Sequence, residues 1–135
     1  MQLNPVEEAT VRAFVVPGKR DRMVTLLATP KRRRQATDAL NHFAHWDTRY
    51  TQAIPSSADV IYVLRHAGAP GQCHVISADR SLDGRDMPLA DAVAAAEANG
   101  GASVLCCLPG QLALFFDELW APRDRILLSR ARRIV

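Results

Sequence analysis

ASVLCCLPGQLALFFD, residues 102–117, is the most apolar stretch of the chain, and Pro109-Gly110 divides it into two halves. Each half contains an unbroken apolar run, VLCCL at 104–108 and LALFF at 112–116. Runs of this length that are bounded by turn residues are typical of buried strands. We therefore predict two neighbouring strands joined at the Pro-Gly turn, which the rest of the chain must cover.

The first half of the chain carries helix patterns. Asn4 is suited to an N-cap, Pro5 follows at the first helical position, and Glu7 stands three residues after the cap, as in a capping box. Further apolar stripes with start and stop residues predict three more helices. They run over about 19–28, 30–43 and 56–67. Between the last two, residues 44–55 have no clean period and are predicted to form a loop.

The second half reads mainly as strands. CHVIS at 73–77 and RILLS at 125–129 are short and rich in β-formers, and an alanine-rich helix is predicted to begin at Pro88. The strand-helix-strand order permits a right-handed parallel crossover between 73–77 and 102–108. We predict one α+β domain over residues 1–135. About four N-terminal helices pack on a small mixed β-sheet, in the order β-α-β-β-β, from the C-terminal half.

Size and composition are those of a globular protein. The chain has 135 residues, of which 48% are hydrophobic and 23% charged, and a domain of this length buries roughly two-thirds of its unfolded surface. Its odd number of cysteines includes adjacent Cys106 and Cys107, expected to face opposite sides of a strand. No disulfide framework, targeting signal or unbroken membrane-spanning run is visible. We expect a cytoplasmic protein that does not insert into membranes.

Charge is unevenly distributed although the net charge is only +3. Residues 11–34 hold eight basic side chains against Asp21, whereas residues 71–118 hold seven acids against Arg80 and Arg85. The eight basic residues are Arg12, Lys19, Arg20, Arg22, Lys31, Arg32, Arg33 and Arg34. Two interpretations remain open: the basic helices face an external polyanion, or the acidic segment 71–118 covers and neutralises them.

We expect the eight basic residues to form a binding surface. Cations collected on one face release condensed counterions from a polyanion, and nucleic acid is one class of partner that fits. The basic clusters fall at predicted helix N-termini, where they oppose the helix macrodipole, so local helix stability does not explain them. The first hypothesis is a non-enzymatic accessory or regulatory protein that binds a macromolecular partner and needs no cofactor.

The acidic loop 79–86 provides an alternative, a small enzyme or a divalent-metal site. Asp79, Ser81, Asp83 and Gly84 match the first half of a calcium loop, but Ala90 stands where a bidentate glutamate is expected. Asp79, Asp83 and Asp86 are therefore weak candidates to hold a cation or share a proton. His74 or Cys73 would assist such an enzyme, although adjacent strand residues point to opposite faces and cannot pair with each other.

Two other possibilities involve residues 42–50. His42 and His45 have i, i+3 spacing and are weak candidates for a metal site with Asp38. Aromatic residues at 43, 46 and 50 suggest an interaction surface for a homo- or hetero-oligomer. No motif of a known family stands in the sequence.

Overall fold

The computed structural model describes residues 3–40, 45–55, 57–98, 102–116 and 125–130. Five helices lie in these residues: α1 (Pro5–Phe14), α2 (Arg20–Ala28), α3 (Arg33–Leu40), α4 (Val60–His66) and α5 (Leu89–Ala98). Six strands accompany them: β1 (Thr51–Ile54), β2 (Gln72–Ser77), β3 (Asp86–Pro88), β4 (Ser103–Leu108), β5 (Leu112–Phe116) and β6 (Arg125–Ser129). The predicted α+β class is confirmed.

The strands form one sheet in the order β1-β6-β5-β4-β2-β3, and every described pairing is antiparallel. At its centre is the predicted hairpin, in which Ser103 of β4 lies opposite Phe116 of β5 and Leu105 lies opposite Leu114. Gly110 in the connecting turn has φ 69°, a left-handed conformation that glycine adopts without a steric penalty.

The prediction of a mixed sheet with a parallel crossover was wrong, because the strand β3 was missed. After β2 the chain reverses, and β3 runs back along β2 with His74 opposite Asp86. Helix α5 therefore starts beside the beginning of β2, where Leu89 N donates to Gly71 O at 2.8 Å. The chain crosses the sheet on α5 and enters β4 from the far end, so β4 runs antiparallel to β2.

The predicted loop 44–55 also contains a strand. β1 pairs with β6 at the edge of the sheet, and Thr51 lies opposite Leu128. Of its four residues only Ile54 is buried. The strand therefore lacks the alternation of buried and exposed residues by which a strand is recognised in a sequence.

Helices cover both faces of the sheet. Helices α1, α2 and α3 share a core with one face, and α4 and α5 share a second core with the other. Successive side chains of β4 point alternately into the first and the second core. Cys106 belongs to the first core and Cys107 to the second, as predicted. Phe14 and Phe115 are fully buried in the first core, and burying each side chain contributes about 1.5–3 kcal/mol.

None of the helices in the described ranges combines the length and the apolar character needed to cross a membrane.

Candidate functional site

Arg33 lies at the centre of a partly buried charge cluster. Its Nη1 and Nη2 donate to the two carboxylate oxygens of Glu7 at 2.7 and 2.8 Å. Its Nε and Nη2 donate to Asp83 at 2.6 and 3.0 Å, and Nη1 also reaches Leu27 O at 3.4 Å. These contacts engage all five N–H groups of the guanidinium. Arg33 is therefore a structural residue and is removed from the predicted set of partner contacts.

Glu7 holds the cluster to helix α1. It is 2% exposed and accepts hydrogen bonds from Arg33 and from His74 Nε2, the latter at 2.6 Å. Burial by itself would raise the pKa of Glu7, but the hydrogen bonds from His74 and Arg33 outweigh burial and lower it. The predicted capping-box role is wrong, because the Glu7 side chain points into the protein. Asn4 Oδ1 caps α1 alone, accepting from Val6 N at 2.8 Å.

His74 joins this cluster to the edge strand β3. Its Nε2 contacts Glu7, and its Nδ1 lies 2.8 Å from Asp86 Oδ1. Burial would lower the pKa of His74, but the hydrogen bonds to the two carboxylates outweigh burial and raise it. Since both ring nitrogens are occupied by carboxylates, His74 has no nitrogen left to accept a proton from a substrate.

The three aspartates of the loop 79–86 do not converge on one point. Asp79 accepts hydrogen bonds from Ser81 N and Oγ, both at 2.9 Å, in a local turn. Asp83 is directed to Arg33, and Asp86 to His74. Within the described ranges no group of three potential ligands could hold a metal ion. The geometry therefore gives no support to the metal or enzyme hypothesis for this loop.

The predicted histidine site is described only in part. His42 lies outside the described residues, and His45 Nδ1 lies 3.1 Å from Lys19 Nζ. The contact with the ammonium of Lys19 makes His45 a poor candidate for a metal ligand.

The three cysteines are free and buried. Burial raises the pKa of Cys73 to about 11 and that of Cys106 to about 12. It also raises the pKa of Cys107. Since the thiolate is the reactive form, these residues are core side chains and not nucleophiles.

Two further predicted contact residues are held by local interactions. Arg12 Nε and Nη1 bind Glu8 at 2.9 Å and Asp21 at 3.1 Å on the surface. Arg20 Nε donates to Val15 O at 2.7 Å. Arg20 Nη2 also lies 3.9 Å from Asp47 Oδ2. None of these partners belongs to the acidic segment 71–118.

Lys19 contacts His45 Nδ1 at 3.1 Å. The other four predicted residues lie on helix α2 and at the start of α3, and we refer to them as the exposed cationic cluster. They are exposed and make no ion pair with any described residue. They are Arg22, Lys31, Arg32 and Arg34. Among the described residues, Asp83 is the one acid of segment 71–118 that pairs with any of the eight, and its partner is Arg33.

A groove lies beside this cationic cluster, between α3 and the loop that joins β2 to β3. Its volume is about 230 Å³, and Arg34 and Thr37 line one side. Ser77 and Arg80 line the other side. Arg80, which the sequence placed in an acidic segment, is thereby brought next to the basic face.

The predicted aromatic surface is not exposed as a unit. Trp46 is 1% exposed and packs against Phe115 with ring centroids 5.3 Å apart. The guanidinium of Arg130 covers Tyr50 at 4.1 Å from the ring centroid. Phe43 lies outside the described residues. Trp46 is thus a core residue, and the prediction that it lines an interface was wrong.

Glu7, His74 and Arg80 were absent from the predicted contact set. The sequence does contain an indication that Glu7 is buried, because Glu7 lies on the same face of α1 as Val11 and Phe14. A carboxylate on an apolar stripe indicates a buried partner. No local signal exists for Arg80, whose position depends on folding of the β2–β3 loop against α3. Comparisons with protein-family models, curated proteins and solved structures found no match to this chain.

Proposed function

We propose that this protein is a non-enzymatic accessory or regulatory protein that binds a polyanionic macromolecule, with nucleic acid as the class to test. The contact residues are the four members of the exposed cationic cluster: Arg22, Lys31, Arg32 and Arg34. The observation that carries the proposal is the contrast between these four and Arg33, whose donors are all used within the protein.

The exposed cluster has no evident role in stability. Lys31 and Arg32 lie in the turn that precedes α3, and Arg34 lies in its first turn. Cations at a helix N-terminus oppose the macrodipole by typically 0.3–1 kcal/mol each. Asp38 is the only acid in α3 and is itself exposed. An external anion would offset this unfavourable arrangement, since it would face several cations at once.

Binding of this kind is electrostatic and depends weakly on base sequence. Tyr62, the large hydrophobic side chain that is exposed in the described residues, lies on α4 and therefore on the opposite helical layer. Tyr62 is therefore not available to stack bases of a partner at the cationic cluster, and among the described residues the contacts we expect there are with phosphates. About four phosphate contacts predict that affinity falls about 100-fold between 50 and 200 mM salt.

A cytoplasmic location, as expected from the sequence, is part of this proposal. The three free and buried thiols support a reducing compartment.

The test is fluorescence anisotropy with labelled random duplex and single-stranded oligonucleotides over a range of salt concentrations. Arg32→Gln/Arg34→Gln is expected to lower the slope of log affinity against log salt by about two. Arg65→Gln, which removes one exposed cation from α4 on the other face, is the control and is expected to leave the slope unchanged. Absence of binding to either strand type at 50 mM salt would overturn the nucleic-acid version, and an unchanged slope in the double variant would exclude the cationic cluster.

A further inference from the structure

The groove between α3 and the β2–β3 loop has the size of a subsite. Its volume is about 230 Å³, below the range of about 300–1,000 Å³ that is common for pockets holding drug-sized ligands. It therefore suits one functional group of a larger partner better than a whole small molecule.

The groove presents two arginines that form no ion pair with any residue that the structure describes. They are Arg34 and Arg80, and both are exposed. They belong to elements on opposite sides of the groove, so both guanidinium groups can approach one anion. Two guanidinium forks offer several N–H donors, which matches the several acceptor oxygens of a phosphate better than the two oxygens of a carboxylate.

The acid in the groove does not prevent anion binding. Asp83 accepts two hydrogen bonds from Arg33, at 2.6 and 3.0 Å, and one from Ser77 N at 3.0 Å. Arg33 therefore offsets much of the negative charge of Asp83. Because Arg33 also pairs with Glu7 and all its donors are engaged, it supplies the groove with neither a direct contact nor surplus positive charge.

The loop wall of the groove is held in position before a ligand arrives. Gly84 N donates to Val75 O at 2.8 Å, and Asp83 N donates to Asp79 O at 3.0 Å. The ion pair between Asp83 and Arg33 then fixes the loop to α3. A preformed site avoids part of the entropic cost of ordering its residues on binding.

We propose that this groove binds one phosphate group of the partner, with Arg34 and Arg80 as its two direct contacts. This inference rests on the proposed function and deepens it, because it assigns the partner to the phosphate-bearing polyanions and separates it from acidic proteins. Arg80 becomes a binding residue that belongs to neither basic helix.

The test uses inorganic phosphate, with acetate as the carboxylate comparison, titrated into ¹⁵N-labelled full-length protein at low salt. Saturable shifts are expected at the Nε–Hε signals of Arg34 and Arg80 with phosphate, and weaker ones with acetate. Arg80→Gln is expected to lower the phosphate affinity at least about 10-fold, since a hydrogen bond to a charged group contributes about 1.5–3 kcal/mol. Arg85→Gln, an exposed arginine of the same loop, is the matched control and is expected to keep the wild-type affinity.

Oligonucleotides of one sequence, with and without a 5′-phosphate, distinguish the two sources of the group. If the two strands give equal shifts at Arg34 and Arg80, the groove binds a backbone diester. If the phosphorylated strand gives larger shifts, the groove binds a terminal monoester. Non-saturating shifts of equal size at Arg22, Arg80 and Arg85 would overturn the subsite.

Different results would overturn the proposed function and the phosphate subsite. Salt-dependent binding of oligonucleotides that Arg80→Gln leaves unchanged would retain the proposed function and remove the subsite. Saturable phosphate binding at the groove without affinity for either strand type would retain the subsite and remove the nucleic-acid proposal.

Discussion

Arg33 and Glu7 form a two-point ion pair, with Nη1–Oε1 and Nη2–Oε2 distances of 2.7 and 2.8 Å, that joins helix α3 to the first turn of helix α1. The same guanidinium binds Asp83, and the same carboxylate binds His74. The pair therefore connects two helices, the strand β2 and the β2–β3 loop. It also determines which basic residues remain available, because it uses Arg33 internally and leaves Arg32 and Arg34 exposed.

Removing the charge of Glu7 should destabilise the fold. Glu7→Gln keeps the side-chain shape but leaves Arg33 and His74 without their shared carboxylate. Breaking a buried ion pair by changing one partner costs about 3–5 kcal/mol. We expect a loss of about 3 kcal/mol in the free energy of unfolding, measured by urea denaturation. Glu8→Gln, one position away and on the surface, should change it by less than about 0.5 kcal/mol. Equal effects of the two substitutions would contradict the structural role of Glu7.

Stability should be greatest in mildly acidic solution. The pKa of Glu7 is lowered in the fold, so its contribution is present above the ordinary value of 4.5 and is lost as pH falls through the folded pKa. The pKa of His74 is raised, so its contribution is present below the ordinary value of 6.5 and is lost as pH rises through the folded pKa. Both contributions are complete between about pH 4.5 and 6.5.

The measurement is urea denaturation at intervals from pH 4 to 8.5. Above pH 6.5 the free energy of unfolding is expected to decline, because neutral His74 presents an unprotonated nitrogen to a carboxylate. His74→Gln should reduce this decline above pH 6.5 and leave the loss of stability at acidic pH in place. A wild-type stability that rises steadily from pH 5 to 8 would rule out a protonated His74 in the cluster.

The thiols should react only when the protein opens. Cys73, Cys106 and Cys107 are buried, and burial raises the pKa of each thiol. At pH 8 we expect an aromatic disulfide reagent to modify the native protein at least about 1,000-fold more slowly than the urea-unfolded chain. Absorbance of the released thiolate gives both rates. Rapid modification of even one thiol in native buffer would show that a cysteine is accessible.

The central hairpin should be sensitive to a single methyl group at its turn. Gly110 has φ 69°, so Gly110→Ala should lower the free energy of unfolding by about 1 kcal/mol through backbone strain. An added Cβ would meet the nearest atom, Ala9 O, at an ordinary 3.6 Å, so steric overlap is not the cause. Gly18→Ala, where a Cβ meets nothing within 4 Å, is the control and should be neutral or slightly stabilising. A neutral effect at Gly110 would contradict the turn conformation.

The sequence correctly predicted the elements that are specified by their own residues, through hydrophobic periodicity or through turn and cap residues. The β4–β5 hairpin and the starts of α1 and α2 follow from such signals. The strand β3 was missed because it spans only Asp86–Pro88 and alternates exposed, buried and exposed. Missing one short strand changed the predicted direction of β4 relative to β2, since each added reversal inverts the direction in which the chain next enters the sheet.

The amino-acid order by itself determined the α+β class, the central hairpin and the concentration of cations before and within α2 and α3, because these depend on neighbouring residues. Only the tertiary structure decided which cations stay exposed. Glu7, Arg33, His74 and Asp83 are far apart in the chain, and their pairing depends on how α1 and α3 pack against β2. Ion pairs and grooves of this kind are long-range contacts, and no local sequence pattern specifies them.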